Sequence, residues 1–444
     1  MNPLPPGPSH IGIIDFLRYA FQSPEPFLHR MAREYGLTFR LNSPKSSGGP
    51  ATISGDPEII RVIYTTDPDF LEARGVEFTT PIFGRHGVTV TSGTKHKRDR
   101  RLLSAPFHAA LKSYGTIMSE ITQQTLARYP IGQKFSLLEA TQAIALDVII
   151  RAVFGVQGKE KIQEVRSAVL NLCDALHPGI IFSMALRHEF FGLGPWARFC
   201  RAKNALDALM RREIQDRRAE DRGGDKRQDI LSLLLDVRDE DGTMLEEEEL
   251  LDQLRTVLFA GHETTATAMA WAIFVLQQHP LEMAKLREEL SGLGQSPDPN
   301  ALAALPYLEA VCQETLRMYP PVVDVGRTLK KSLDLGPYAL PAEEAIMASP
   351  ILLHNNISLY PEPGRFRPER FLERKFSPFE YIAFGGGARR CLGAAFAMYE
   401  MKVVLGTALA SGAFRNAGAS TIANIRRGLT MGPSGGVPML RVAP

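Results

Sequence analysis

A long stretch of helical character between residues 246 and 279 is the most regular hydrophobic pattern in the chain. Four glutamates open it, which favours a helix N-terminus, and Pro280 follows it directly. Beyond Thr264 the stretch is apolar on nearly every side, as in helices that lie inside a protein. The pattern therefore predicts a buried helix that is long enough to cross a whole domain.

Other segments also predict helices, with short strands between them. One helix begins at Pro306 and ends before Pro320 and Pro321. Short strand-like runs fill residues 325–349, and a further helix covers residues 392–410. No linker or repeat divides the sequence. We therefore expect a mainly α fold with small β-sheets, formed by one large domain of residues 1–444 around the long central helix.

The composition narrows the class of protein. The chain has 444 residues, of which 44% are hydrophobic, so it can bury a large core. A net charge of only +2 gives no general attraction to nucleic acid. The N-terminus lacks the basic and apolar regions of a signal peptide, and the longest apolar run, residues 266–276, is too short to span a membrane. We expect a soluble protein with no membrane anchor and no nucleic-acid partner.

The four cysteines are widely separated, at Cys173, Cys200, Cys312 and Cys391. So few cysteines do not make a disulfide framework and suit a reducing compartment, which favours a cytoplasmic location. The first three stand in apolar helical surroundings and match no motif. We interpret those three as packing residues.

Two further features have simple structural interpretations. Residues 216–229 form a charge-dense run with two adjacent glycines, which would be either a partner-binding patch or a solvated loop. Charge runs usually form solvated faces, and we therefore favour the loop. We interpret His262 as a packing residue or one that makes a surface hydrogen bond. His354 would order a loop rather than touch substrate.

Cys391 differs from the other cysteines because it stands in the sequence FGGGARRCLG, residues 384–393. It precedes a predicted helix, whose free backbone N–H groups and dipole favour thiolate over thiol. The glycines allow the backbone to approach a flat macrocycle, Arg389 can bind a carboxylate, and Phe384 can shield the sulfur. A thiolate with such neighbours is one way in which proteins hold haem iron. The alternative is a free cysteine packed in a glycine turn.

The sequence LFAGHETTAT, residues 258–267, places a glycine, an acid and three threonines inside the apolar part of the central helix. Buried polar groups are costly unless they are satisfied, and a threonine hydroxyl can bond a carbonyl one turn earlier. Taken alone, the motif favours Thr264 and Thr265 as tolerated core residues and Glu263 as a salt-bridged acid. Beside a haem-thiolate motif, it favours a hydroxyl and an acid that deliver protons to oxygen.

Four motifs thus occur in order along the chain: AGHETT, ETLR, FRPERF and the filled pattern F-x-x-G-x-R-x-C-x-G. With them the sequence resembles, over nearly its full length, the cytochrome P-450 family of haem-thiolate monooxygenases, in its soluble bacterial type. The resemblance implies the family fold, with the long central helix over the haem. It also implies an ion-pair network of Glu314, Arg317 and Arg370.

The resemblance implies roles for individual residues. Cys391 would be the proximal ligand of the metal, the iron of haem b. Thr264 would organise the oxygen and its water, and Glu263 would feed the proton relay, so that both residues would be catalytic. The cofactor-binding residues would be His96, Arg100, Ala260, Gly261, Arg327, Phe384, Gly385, Arg389, Cys391 and Gly393. His96 stands where the family often has tryptophan, and an ordinary surface residue is the alternative there.

The implied reaction inserts one oxygen atom from O2 into a substrate, with electrons from NAD(P)H that a ferredoxin or flavodoxin and its reductase deliver. Two alternatives within the family are a peroxide-rearranging isomerase or dehydratase and a peroxygenase, which often alter the acid–threonine pair. A non-catalytic haem-binding sensor is an alternative of another class. The intact pair of Glu263 and Thr264 favours the oxygenase.

By the same resemblance, segments along the chain would line the substrate pocket: residues 81–90, 173–185, 260, 264, 265 and 322–325, and the turn near 431. Their apolar character suggests a lipophilic guest such as a fatty acid, terpenoid, steroid or macrolide. Asp324 would anchor a polar group or pair with an arginine.

The basic run KHKRDRR, residues 95–101, is a candidate docking surface for the redox partner, together with Arg390 and Lys402. Positive charge is concentrated in this run although the whole chain is almost neutral. The run would therefore attract a small acidic protein. A solvated basic helix face is the alternative.

Overall fold

The computed structural model describes residues 2–42, 49–109, 114–156, 158–176, 180, 186–188, 191–220, 227, 229–294, 296–323 and 325–442. The α-helices of these residues are α1 (Ile13–Phe21), α2 (Glu25–Tyr35), α3 (Pro57–Thr65), α4 (Val76–Phe83), α5 (Gly93–Ala109), α6 (Gly115–Ala127), α7 (Leu137–Phe154), α8 (Lys159–Ala175), α9 (Gly194–Glu220), α10 (Ile230–Asp236), α11 (Glu247–Gln278), α12 (Pro280–Ser291), α13 (Pro299–Ala303), α14 (Pro306–Met318), α15 (Pro350–His354), α16 (Arg370–Glu373) and α17 (Ala394–Ala410). The strands are β1 (Thr38–Leu41), β2 (Ala51–Ser54), β3 (Leu71–Ala73), β4 (Lys134–Ser136), β5 (Gly326–Leu329), β6 (Leu333–Leu335), β7 (Tyr338–Leu340), β8 (Ala345–Ala348), β9 (Ala413–Asn416), β10 (Asn424–Arg427), β11 (Thr430–Pro433) and β12 (Pro438–Val442).

The long central helix is present as predicted. The carboxylate of Glu249 accepts a hydrogen bond from the backbone N–H of Glu246, which satisfies one of the free donors at the N-terminus of α11. Pro280 begins α12 immediately after the end of α11. The prediction of a buried helix that crosses the domain is confirmed, and α14 and α17 also occupy the predicted positions.

The central helix is surrounded by other helices, above all by α7. Close approach of α7 depends on Gly261, since a Cβ at that position would lie 3.0 Å from the Cδ1 atom of Ile149. Residues Ala266 to Leu276 are all buried. Residues 249–258 are also buried, although the sequence there includes charged side chains. The core therefore includes polar side chains that must find partners inside the protein.

The strands form small sheets at the edge of the helical body. The largest has the strand order β1-β2-β8-β5-β3, in which only the pair of β2 and β8 is parallel. The order β4-β12-β9 describes a three-stranded sheet, and two further pairs join β6 with β7 and β10 with β11. These observations confirm the mainly α fold with small β-sheets.

An ion-pair network joins α14 to the segment before the cysteine loop, as the resemblance implied. The guanidinium of Arg317 donates to both carboxylate oxygens of Glu314, over 2.6 and 2.9 Å. Arg370 donates to the same carboxylate over 3.0 Å. All three side chains are buried, so each charge depends on the others for stability.

The charged run at residues 216–229 differs from the predicted solvated loop. Its first part continues α9 to Glu220, and Arg217 is buried. The Arg217 guanidinium donates to the carboxylate of Asp229 over 2.6 Å and to the carbonyl of Phe154 over 2.6 Å. Residues 221–226 and 228 lie outside the described residues. The prediction was wrong for Arg217 and Asp229, because composition cannot show that two charges inside the run pair with each other.

His354 orders the chain around it, as predicted. Its Nε2 atom accepts from the backbone N–H of Ile382 over 3.0 Å, and its Nδ1 atom lies 3.1 Å from the carbonyl of Arg317. One nitrogen must accept and the other must donate, so the ring is neutral in the fold. Burial and the nearby Arg317 charge lower the pKa of His354 to about 3.

We expect His354 to make the fold less stable in mild acid. The unfolded histidine, with a pKa of about 6.5, takes up a proton before the folded one does, so stability falls as the pH drops from about 6.5 towards 3. Between pH 7 and pH 5 the loss is on the order of 2 kcal/mol, which urea unfolding at the two pH values measures. The His354→Gln variant should show a smaller loss. The exposed His10→Gln control should behave like the unchanged protein, and equal losses in all three would contradict the assignment.

Candidate active site

The cysteine loop folds back on itself just before α17. The backbone N–H of Cys391 donates to the carbonyl of Phe384 over 2.8 Å, and that of Gly385 donates to Ile382 over 2.8 Å. Gly393 then immediately precedes the first residue of α17. These bonds fix the position of the Cys391 backbone relative to the start of the helix.

The Cys391 sulfur lies in a recess. The residue is exposed, yet enough protein surrounds the sulfur for burial to raise the pKa of the thiol. The backbone N–H of Gly393 and the charges of Arg390 and Arg100 lower this pKa, but burial is the larger effect. The start of the helix and the nearby charges therefore act in the expected direction, and burial opposes them. A cation bound to the sulfur would also favour the thiolate.

The glycines of the loop have a structural reason in addition to the predicted approach to a macrocycle, which stays a prediction. A Cβ at Gly386 would lie 2.2 Å from the Tyr64 ring, and a Cβ at Gly387 would lie 2.5 Å from the Tyr64 carbonyl oxygen. Both glycines therefore allow the loop to pack on α3. Gly385 is required for its backbone conformation, with a φ of +64° and no atom near its missing side chain.

Three arginines converge beside the loop. Arg389 donates to the carbonyl of Thr91 over 2.6 Å and Arg327 to the carbonyl of Gly386 over 3.2 Å, while Arg100 donates to the carbonyl of Arg390 over 2.6 Å. None of the three has a carboxylate ion-pair partner within the part of the chain that the structure describes.

The electrostatics of this cluster favour an anion. Burial and the charges of Arg327 and Arg100 lower the pKa of Arg389 to about 10. Burial also lowers the pKa of Arg327 and that of Arg100. Three cations without a counter-charge repel one another, so a group with carboxylates fits between them. This is the arrangement that the two propionates of haem require.

His96 lies among these arginines, on the same face of α5 as Arg100. Its side chain is buried, so the alternative of an ordinary surface residue was wrong. Burial, followed by the charges of Arg389, Arg100 and Arg327, lowers the pKa of His96 to about 4. His96 is therefore a neutral hydrogen-bonding group at neutral pH.

The central helix has an accessible face within its buried length. Ala260 is exposed and Gly261, Glu263 and Thr264 are half-buried, whereas the helix on either side is buried. The Thr264 hydroxyl donates to the carbonyl of Ala260 over 2.7 Å. Small side chains at this point leave room beside the helix for a small molecule.

Glu263 is held by residues that the sequence reasoning missed. Its carboxylate accepts from the Gln142 amide on α7 over 2.9 Å and from Arg427 on β10 over 3.4 Å. No hydrogen bond joins Glu263 to Thr264 among the described residues. Neither Gln142 nor Arg427 belongs to a motif, and only the fold brings them to the acid.

Other predicted pocket residues lie in mixed surroundings. Val322 and Val325 are exposed, whereas Thr265 and Met431 are buried. Asp324 and much of the segment 173–185 lie outside the described residues. Burial raises the pKa of the Cys173 thiol and that of the Cys312 thiol to about 12, which agrees with inert packing roles.

Most basic side chains of the run at residues 95–101 pair with nearby acids, which the sequence did not show, whereas Arg100 has no such partner among the residues described. Lys97 pairs with Asp69 over 2.9 Å, Arg98 pairs with Asp239 over 2.9 Å, and Arg101 pairs with Asp239 and Glu240. Lys402 is also unsuited to docking, because it is buried and donates to Glu309 over 3.0 Å and to the carbonyl of Ala303 over 2.6 Å. These pairs reduce the local positive charge, and the docking of a redox partner at this run stays a prediction.

Within the described ranges, no helix combines the length and hydropathy that a membrane span requires.

Comparison with known proteins identifies the family. The family model for Cytochrome P450 matches residues 4–433. A Mycobacterium tuberculosis protein with the provisional name cytochrome P450 135B1 is 36% identical over 409 residues, which is 90% of this chain and 84% of the relative. A second protein of that organism, provisionally named cytochrome P450 137, is 32% identical over 412 residues, with coverage of 92% and 83%. The solved structure of the retinoic acid bound cyanobacterial CYP120A1 has a TM-score of 0.87 at 23% identity and covers both chains fully.

The chain therefore belongs to the cytochrome P450 family. It is a haem-dependent monooxygenase that uses O2, which is the activity typical of that family. The residues present fit haem, because a recessed cysteine, a cluster of unpaired arginines and an accessible helix face occur together.

We expect the arginine cluster to retain the cofactor. Arg389→Leu removes a charge-assisted hydrogen bond, which contributes about 1.5 kcal/mol, so haem should leave the protein about 10-fold faster. The loss of the Soret absorbance to excess albumin measures the rate. The same substitution at the exposed Arg415 on β9 is the control, and equal rates in the two variants would contradict the role.

Proposed function

We propose that the protein inserts one oxygen atom from O2 into a lipophilic small molecule of the fatty acid, terpenoid, steroid or macrolide type. Electrons come from NAD(P)H through a ferredoxin or flavodoxin and its reductase. The observation that carries the proposal is the intact acid and threonine, Glu263 and Thr264, on the accessible face of a buried helix. We also propose that residues 1–444 form one haem-binding domain. A cytoplasmic location is consistent with its four free cysteines.

The cofactor-binding residues have distinct tasks in this proposal. Cys391 would hold the iron of haem b, and Arg100, Arg327 and Arg389 would bind its propionates, with His96 as a neutral donor. When bound, haem supplies the activation of O2 that allows an oxygen atom to enter an unreactive C–H bond. The remaining residues, Ala260, Gly261, Phe384, Gly385 and Gly393, would shape the space around it.

The two polar residues of α11 would manage protons. The Thr264 hydroxyl donates to the carbonyl of Ala260, so its oxygen remains available as an acceptor for a water molecule in the opening. The Glu263 carboxylate accepts hydrogen bonds from Gln142 and Arg427. It would take up a proton from solvent and pass it on through water, in place or after leaving Arg427. Gln142 and Arg427 would therefore position the Glu263 carboxylate and would not transfer protons themselves.

The ion pairs of Lys97, Arg98 and Arg101 favour a docking surface beside these residues rather than on them. Arg390 is exposed beside Cys391 and has no ion-pair partner in the described part of the chain. We propose that the surface around Arg390 receives the electrons, because it is the exposed part of the cysteine loop. The isomerase or dehydratase, the peroxygenase and the haem sensor stay alternatives, and no contact among the described residues favours them.

The first test concerns the ligand of the iron. Reduced protein with carbon monoxide should show the strongly red-shifted Soret band of a thiolate ligand, and Cys391→Ala should abolish that band. The control is Cys312→Ala, a buried cysteine on α14 that should leave the band in place. A band that survives in Cys391→Ala would show that another residue is the ligand.

The second test concerns the proton relay. Thr264→Ala should still bind haem and consume NAD(P)H, but much of the electron flux should appear as hydrogen peroxide, because the hydroxyl that positions water is gone. The control is Thr267→Ala one turn later, whose buried hydroxyl has no hydrogen-bond partner among the described residues. Product yield per cofactor oxidised is the measurement. An unchanged yield in Thr264→Ala would contradict the role, and turnover without O2 or electrons would favour the isomerase.

A further inference from the structure

The segment of residues 82–88, which we call the clamped segment, is bound by side chains of the central helix. Gln253 makes two hydrogen bonds with its backbone: the N–H of Val88 donates to Oε1 over 3.0 Å, and Nε2 donates to the carbonyl of His86 over 2.7 Å. The Asp252 carboxylate accepts from the N–H of His86 over 2.9 Å. Both side chains are buried, so water cannot replace these bonds.

Arg255 extends this binding to a third element. Its guanidinium donates to the carbonyl of Ile82 over 3.3 Å and to the Asp252 carboxylate over 3.1 Å. It also donates twice to Asp207 on α9, over 3.1 and 2.8 Å. The side chain is almost wholly buried, and the two carboxylates around it compensate its charge. We call Asp252, Gln253 and Arg255 the clamp.

The backbone of the clamped segment is shaped to fit the clamp. Gly84 has a φ of +74°, and a Cβ there would lie 1.8 Å from a carboxylate oxygen of Asp252. A Cβ at Gly87 would lie 2.8 Å from the hydroxyl of Thr256. The segment can therefore approach α11 only because both positions are glycine.

The clamp also fixes a side chain beside the accessible face of α11. The Phe83 ring packs edge-on against the Phe259 ring, with 6.3 Å between the centroids. Phe259 directly precedes the exposed Ala260. Any shift of the clamped segment would therefore move an aromatic ring next to the space that we assign to the substrate.

We propose that Asp252, Gln253 and Arg255 are positioning residues that hold residues 82–88 as a fixed wall of the substrate pocket and so determine which molecules fit. The inference rests on the proposed function, because it deepens the account of the same pocket. Four backbone groups of the segment depend on one helix rather than on secondary structure of their own. These hydrogen bonds would hold the Phe83 ring in place, so that the ring excludes substrates too bulky to fit beside it.

The test uses the ferric holoenzyme and two haem ligands of different size, imidazole and 4-phenylimidazole, titrated by their Soret shifts. Gln253→Leu keeps the volume but removes both hydrogen bonds. The dissociation constant of imidazole should stay within about twofold, while that of 4-phenylimidazole should change about fivefold or more, because only the larger ligand reaches the wall. Gln278→Leu, at an exposed position of the same helix, is the control and should change neither constant.

A second measurement keeps the proposal testable if Gln253→Leu does not fold. Amide hydrogen exchange in the unchanged holoenzyme should show slow exchange at His86 and Val88, whose N–H groups the clamp binds. Fast exchange there would overturn the proposal, as would equal changes for both ligands in Gln253→Leu. Neither experiment needs O2 or a reductant, so its failure is distinct from failure of the monooxygenase tests.

Discussion

A long helix in the middle of a protein can carry charged and amide side chains only if each of them has a partner, and this constraint organises the structure around α11. These side chains along α11 form hydrogen bonds with residues of several neighbouring elements. Arg255 binds α9, Gln253 binds the segment after α4, and Glu263 binds Gln142 on α7. The helix is thus both the core of the fold and the common support of the surfaces packed around it.

The same constraint separates the two ends of the helix by task. In the C-terminal half, residues 265–276 are almost all apolar, and packing alone holds them. In the N-terminal half the buried charges fix directions as well as distances, because hydrogen bonds are directional. The accessible face at Ala260 lies at the boundary. A reactive site at this boundary would have the closely packed C-terminal half of α11 on one side. On the other side it would have the segment that the polar N-terminal half holds by hydrogen bonds.

The sequence was informative where local chemistry is decisive. The bounds of α11 and α14 follow from glutamates and prolines, and the filled cysteine motif places Cys391 before α17. It was uninformative where distant residues meet. The partners of Lys97 and Arg101, the burial of Arg217 and the contact of Gly386 with Tyr64 all join residues far apart in the chain. In the sequence, the polar residues Asp252, Gln253 and Arg255 look like those of a solvent-exposed helix face. Only the structure shows that they are buried.

Gly84 and the clamp together limit the substitutions by which the pocket can change during evolution. Two independent requirements act on it, a left-handed backbone and the space taken by the Asp252 carboxylate. Loss of Asp252 would remove the collision but leave the conformational cost of any side chain at position 84. A descendant of this protein could therefore accept a larger residue there only after the turn itself had been rebuilt. The path from one pocket shape to another passes through at least two linked changes, which makes the present shape slow to drift.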